Sequence, residues 1–443
     1  MPSVRVICIQ AAAAITALSA FWAGERPVAQ HRPYLKAAVD ASRWIRASEL
    51  RTGAGITWPS DPRDPKSVNR ALYSGSPGVV LFQLELHHAT AESEYLQTAK
   101  AGADELIARL GDDKQTGLYT GIAGIGFTLG EVHRATGDPK YRDAMAAVVG
   151  TLKARAVTTG AGVQWSEVTD IIGGAAGTGL FLLHAGRYLQ DPDARRLASR
   201  AADRLIEVAI PEHGGLKWHM EPKFARLMPN FSHGTAGIAY FLARVYEETG
   251  ERKYLDASLA GAKYLQAIAK TEGGICLVQH NQPHGLELYY LGWCHGPVGT
   301  ARLWRQLASI TGDQAWDAWV DRSARGVLES GIPEKLTEGF WNNVSQCCGS
   351  AGVGQFFLDL HRTRANPGYL AFAKRMTEDL LKRGTRDEQG LRWVQAEHRV
   401  QPKLLVAQTG YMQGAAGIGM WLLRLDAAEH GRQNFVRFPD TPF

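Results

Sequence analysis

Three cysteines, two histidines and one aspartate stand at matching places in a repeated pattern, and together they could do metal and proton chemistry. Cys294-His295 precedes Gly296, Cys347-Cys348 precedes Gly349, and His233 precedes Gly234. Asp170 lies four residues ahead of Gly174. Each of these glycines opens a Gly-x-x-Gly element. Thiolates are soft ligands that bind zinc at about 2.3 Å, and three protein ligands leave a fourth position for water or substrate. Cys294, Cys347 and Cys348 are therefore expected to hold Zn2+. Two other fates compete: burial as small apolar side chains, the usual condition of free cysteine, and a Cys294–Cys347 disulfide. Cys276, in Gly-Gly-Ile-Cys-Leu, falls outside the register and reads as core.

Residues so far apart in sequence meet only if the chain carries them to one place. The Gly-x-x-Gly element recurs seven times, with first glycines at 75, 121, 174, 234, 296, 349 and 414. An apolar run of helical length follows each, as in Ile238–Tyr246, apolar nearly all round like a helix buried on several sides. Breaks such as Thr136-Gly137-Asp138-Pro139 then stop one helix and start another. The next segment, for example Lys253–Leu265, has apolar residues at spacings of three and four and so one wet face. Short Gly-apolar-x-Trp pieces end at Trp58, Trp165, Trp218 and Trp393. They read as short extended segments or hairpins whose indoles pack.

The fold class implied is all-α, an α/α toroid with seven inner and seven outer helices over residues 31–443; an open solenoid of helical hairpins is the alternative. Helix pairs that bury apolar faces only against neighbours lose their exposed ends on closure. If every inner helix starts at its Gly-x-x-Gly, all seven turns gather at one mouth, with their positive dipole ends directed there. Three thiols, two imidazoles and a carboxylate then share one rim. Repeats one, two and seven carry Tyr73-Ser74, Tyr119-Thr120 and Met412-Gln413, which have no distinctive chemistry. His280 and His284 lie on a loop able to overhang the mouth, although loop histidines are more often simply solvated.

Composition narrows the classes. The 443 residues carry 49 basic and 44 acidic side chains, net +5, without runs of like charge, so no nucleic-acid footprint is indicated. Five cysteines are too few for a disulfide scaffold. Arg5, the Ala-rich apolar stretch from Val6 to Ala23 and small residues at Ala17 and Ser19 read as an export signal over residues 1–24. A periplasmic or extracellular location follows if it is cleaved, and membrane attachment only if it is not.

At these motifs the sequence resembles the lanthionine synthetase C-like family. It shares the seven Gly-x-x-Gly turns, Gly-Trp-Cys-His-Gly at 292–296 and Cys-x-Gly at 347–349. The resemblance implies an α/α toroid, zinc on Cys294 and Cys347, acid/base work by His233 and a catalytic aspartate at Asp170. It also implies addition of a peptide thiol to a dehydroamino acid to give a thioether. The partner is then a thiol-containing peptide or a glutathione-like small thiol, and the chain a monomer. Two departures stand out. Cys348 occupies a position where the family motif has histidine, making the ligand set three thiolates of formal charge −1 with zinc rather than a neutral set. The arginine that family cyclases carry shortly before the Trp-Cys motif is absent from Leu286-Glu-Leu-Tyr-Tyr-Leu-Gly. A non-catalytic zinc protein that binds thiols or glutathione is the first alternative. A carbohydrate-processing toroid is the second, but it needs two carboxylates flanking a glycosidic bond; only Asp170 sits in register, with Glu167 on the same segment.

Overall fold

The two kinds of apolar pattern become two kinds of helix. In a computed structural model that describes residues 32–443, helices alternate between all-round burial and one buried face. The described residues contain α1 (Pro33–Arg46), α2 (Ser76–Thr90), α3 (Ser93–Ala108), α4 (Ile122–Thr136), α5 (Pro139–Arg155), α6 (Ala175–Leu189) and α7 (Pro192–Glu207). They continue with α8 (Thr235–Thr249), α9 (Arg252–Ile268), α10 (Pro297–Thr311), α11 (Ala315–Glu329), α12 (Ser350–Arg364), α13 (Pro367–Lys382) and α14 (Ala415–Glu429). The export signal expected over 1–24 lies outside the described residues. Residues 33–443 form one compact unit.

Every even-numbered helix begins at a Gly-x-x-Gly turn. In α6 all residues from Ala175 to Gly186 are buried. In α7 the buried residues are Ala194, Leu197, Ala198, Ala201, Ala202 and Leu205, a single stripe at helical spacing. Boundaries follow capping chemistry: Gly137 ends α4 at φ 68°, and Asp138 opens α5 by accepting the Lys140 backbone N–H.

The even-numbered helices pack in chain order, α2 on α4 through to α12 on α14, and α14 packs back on α2. The inner ring is therefore closed, and the open-solenoid alternative is excluded. Each of α2 to α12 is coated by the helix that follows it. The seventh pair departs from the expected order. Its outer member is α1, from the other end of the described chain, packed on α14. Residues 430–443, after α14, contain no helix, and α1 fills the last outer place. That swap ties the first described helix to the last.

Glycine is required at the turns because of close approach. A Cβ on Gly417 would lie 1.7 Å from the Tyr411 carbonyl oxygen, and one on Gly177 would lie 2.0 Å from the Ile171 carbonyl. In each case the carbonyl six residues earlier folds over the first helical turn, where no side chain fits.

The Gly-apolar-x-Trp pieces are the second strands of small antiparallel hairpins, such as 157–159 with 162–164 and 210–212 with 215–217. Their indoles do pack, and three of them also cap. Trp165, Trp218 and Trp393 donate to the carbonyls of Leu152, Leu205 and Leu380 at 2.7–2.9 Å, near the C-terminal ends of α5, α7 and α13. They lie in last turns, where intrahelical donors run out, although the Leu380 carbonyl also accepts the Arg383 backbone N–H at 3.2 Å. Trp218→Phe is expected to cost about 1 kcal/mol for the lost hydrogen bond. Trp218→Ala adds a cavity and is expected to cost about 3–5 kcal/mol. Both are read as shifts in urea midpoint at unchanged slope.

Candidate metal centre

The rim is held by a closed circuit of backbone hydrogen bonds that passes once through every repeat. Tyr73 N–H donates to Tyr119 O, Tyr119 to Ile172, Ile171 to Ser232, Ser232 to Cys294, Trp293 to Cys347, Cys347 to Met412, and Met412 to Tyr73, all at 2.8–3.2 Å. Buried backbone groups demand such partners. Satisfying one another in a ring, they fix the side chains beside them to a common height.

The circuit brings the three sulfurs together. Cys348 Sγ lies 3.2 Å from Cys294 Sγ and 3.2 Å from Cys347 Sγ, and all three fall within 4.8 Å of one another. All three residues are buried and their thiols are free. A tetrahedral ion with 2.3 Å bonds sets its ligands about 3.8 Å apart, so the donor set fits zinc with an opening of a few tenths of an ångström. Their electrostatics are unequal. Burial works against charge on Cys347, but hydrogen bonds from Cys294, Cys348 and Tyr73 hold its thiol well below the ordinary range. Burial pushes Cys294 up, and the adjoining sulfurs push Cys348 up. One thiolate is accommodated readily; three need a cation among them.

Facing the sulfurs in a cavity of about 440 Å³ are His233, His280 and His295. His233 Nδ1 lies 2.6 Å from Asp170 Oδ2, and Asp170 Oδ1 accepts the backbone N–H groups of Gly173 and Gly174 at 2.8 and 2.9 Å. The aspartate is thus buried, fully engaged and a brace for the imidazole. His295 packs between His233 and His280, with ring centroids 5.5 and 4.4 Å away. Burial drives His295 well below the usual histidine range and His280 down to about 4, so both rings are neutral at pH 7. His295 is not part of the sulfur cluster, and its Nδ1 is buried without a hydrogen-bond partner. The loop bearing His280 and His284 does overhang the mouth, with both residues lining the cavity. Cys276 is buried outside it, its thiol pushed up to about 12 by burial. Glu167 also lies outside it, on a separate surface depression.

Four contributions to the site have no counterpart in the sequence reading. Tyr73, from a repeat read as carrying no distinctive chemistry, donates its hydroxyl to Cys347 Sγ at 3.2 Å. Gln413 Nε2 donates in turn to the Tyr73 oxygen at 3.1 Å and stands 4.0 Å from Cys348 Sγ. A donor to a ligand shows no motif in the chain; the sequence signal these two carry is their place immediately before a Gly-x-x-Gly, or one residue further. Arg226 and Arg399 also line the mouth. They supply cationic groups from segments remote from the one where a family arginine is missing. Tyr73→Phe is expected to weaken zinc binding about 10- to 100-fold, as loss of a group that orients a ligand does. Competition with a chromophoric chelator reads this directly.

A closed ring of seven helix pairs carrying a sulfur triad at its glycine-turn mouth defines an α/α toroid with a candidate thiolate metal site. The chain belongs to the lanthionine synthetase C-like family, whose model matches residues 66–439. No curated protein sequence matches it. Among solved structures it is similar to nisin cyclase, with TM-score 0.60, 17% identity, and coverage of 84% of this chain and 91% of that one. The Lin0763 protein of Listeria innocua is similar at TM-score 0.52 and 15% identity, covering 90% and 99%. A GH76 α-mannanase of Bacteroides thetaiotaomicron matches at TM-score 0.52 and 10% identity, covering 90% and 96%. Identities this low establish a shared toroid and nothing about shared chemistry.

Proposed function

We propose that the chain binds zinc through Cys294, Cys347 and Cys348 and adds a thiol across the double bond of a dehydroalanine or dehydrobutyrine residue, forming a thioether. The observation that carries this reading is the meeting, in one cavity, of a three-sulfur cluster and an imidazole braced by a buried carboxylate. Zinc, when bound, supplies the Lewis acidity that lowers the pKa of a substrate thiol.

The chain's own groups manage the proton. In the addition the S–H bond breaks, a C–S bond forms at the β-carbon, the π pair moves toward the α-carbon, and that carbon takes up a proton. His233 has Nδ1 committed to Asp170, which leaves Nε2 as the atom that takes the thiol proton and returns it. Asp170 stabilises the imidazolium and fixes the ring. Tyr290 and Trp341, with ring centroids 5.0 Å apart, wall the cavity against water. Arg226 and Arg399 at the mouth favour a thiol that carries carboxylates, such as an acidic peptide or a glutathione-like small thiol.

The test is incubation of the zinc-loaded chain with a peptide containing one cysteine and one dehydroalanine. Loss of alkylatable thiol at constant peptide mass is the expected result. Zinc-dependent thiol binding with no thioether product, across peptide and glutathione substrates, establishes the non-catalytic alternative instead.

A further inference from the structure

A second cavity, of about 490 Å³, lies inside the barrel on the far side of the metal centre. Trp293 and Gln346 line it, and each immediately precedes a cysteine of the triad, so one layer of residues separates the two chambers. Its walls are the inner helices below their first turns, closed over by the C-terminal tail through Phe438 and Phe443.

The charge inside is unbalanced. Five arginines line the cavity: Arg244, Arg302, Arg305, Arg362 and Arg424, against the single acidic side chain of Asp359. Three have acidic neighbours. Arg302 lies 3.3 Å from Asp440, Arg244 2.9 Å from Glu247, and Arg362 3.9 Å from Asp359. Two do not. Arg424 is 5% exposed, gives one hydrogen bond to the Val436 carbonyl, and has its Nε buried without a partner. Arg305, on the same face of α10 as Arg302, makes no hydrogen bond or ion pair among the described residues. A charge without an acidic partner is costly to hold away from water; Arg424 is held so, while Arg305 is half-buried and stands unpaired on the wall of the same cavity. Aromatic rings hold the guanidiniums in place, Phe438 at 3.5 Å from Arg424 and Phe443 at 3.8 Å from Arg244. Gln355, 3% exposed, has Oε1 buried and unpartnered on the same wall, a spare acceptor.

We propose that this chamber binds a small phosphate monoester bearing a free hydroxyl. The doubly charged phosphate pairs with Arg305 and Arg424, whose planar forks match two oxygens at once, and the hydroxyl donates to Gln355 Oε1. The aromatic residues give the carbon skeleton an apolar wall. Arg362, also on its wall, has a side chain that is 42% exposed. This site is independent of the thiol chemistry above and takes a ligand of another class.

Glycerol 3-phosphate is the probe, with glycerol as the uncharged control, titrated calorimetrically into the full chain. Saturable binding is expected for the phosphate and none for glycerol. Arg305→Gln is expected to weaken binding at least tenfold, while Cys348→Ser, which alters the other chamber, leaves it within twofold. A second readout needs no variant: glycerol 3-phosphate should protect Arg305 of the wild-type chain from phenylglyoxal, as mapped by mass spectrometry. Absence of saturable binding, equal binding by Arg305→Gln, or loss in Cys348→Ser with no protection of Arg305 each overturns the proposal.

Discussion

Cys348→Ala is expected to empty the metal site and abolish thioether formation together. Cys348 is the sulfur that touches both others, at 3.2 Å each. Its removal leaves Cys294 and Cys347 as two ligands for an ion that needs three from the protein. Zinc content should fall from about one per chain to near zero at micromolar free metal, since thiolate sites derive apparent binding of about 10–16 kcal/mol from the full set. Activity should fall at least ~10³-fold, equivalent to about 4 kcal/mol of lost barrier lowering. Elemental analysis and the thiol-consumption assay on one preparation check both. Full zinc retention in Cys348→Ala would show that the triad is not the binding site.

Replacement by histidine asks a finer question. Three thiolates and zinc carry a formal charge of −1, whereas two thiolates and a neutral imidazole carry none. A fourth, substrate thiolate should then be held less tightly by the native set but be more nucleophilic. Cys348→His is therefore expected to keep zinc, bind thiols more tightly and turn over more slowly. Identical thiol affinity in the two proteins would remove the charge argument.

The toroid was legible because its signals are covalent and periodic. Seven Gly-x-x-Gly turns, all-round apolar runs and striped partners follow from backbone contact and burial, and each appears in the chain as letters at fixed spacing. The coming together of Cys294, Cys347 and Cys348 was legible for the same reason, since each sits at one register position of a ring that closes. The limits have an equally physical origin. That α1 coats α14 depends on which helix reaches the vacant outer place, and the local pattern of Pro33–Arg46 does not encode it. Tyr73 and Gln413 act through single hydrogen bonds to a sulfur and to each other, and a phenol or an amide at a rim position looks the same whether or not it has such a partner. The far chamber was equally hidden, because Arg244, Arg302, Arg305, Arg362 and Arg424 come from four helices and form no motif along the chain.

His233→Ala separates proton transfer from metal binding. The imidazole is bonded to Asp170 and is not part of the sulfur cluster, so on the proposed mechanism zinc content should stay at the wild-type level while the rate falls by about 10²–10⁴, the usual worth of a positioned general acid or base. Asp170 needs a subtler substitution. Its Oδ1 accepts two backbone N–H groups at the turn that opens α6, so Asp170→Ala would unsettle the rim as well as the histidine. Asp170→Asn keeps an oxygen for those donors but can present an NH2 group to His233 Nδ1, which turns the ring to the wrong tautomer. A loss in rate of similar size is expected, again with zinc retained and with the thermal midpoint nearly unchanged. Because the two residues act as one unit, the double variant should be scarcely slower than either single one. Additive losses would mean that Asp170 serves the fold and His233 works alone, and unchanged rates in both would move the proton donor to another group in the cavity.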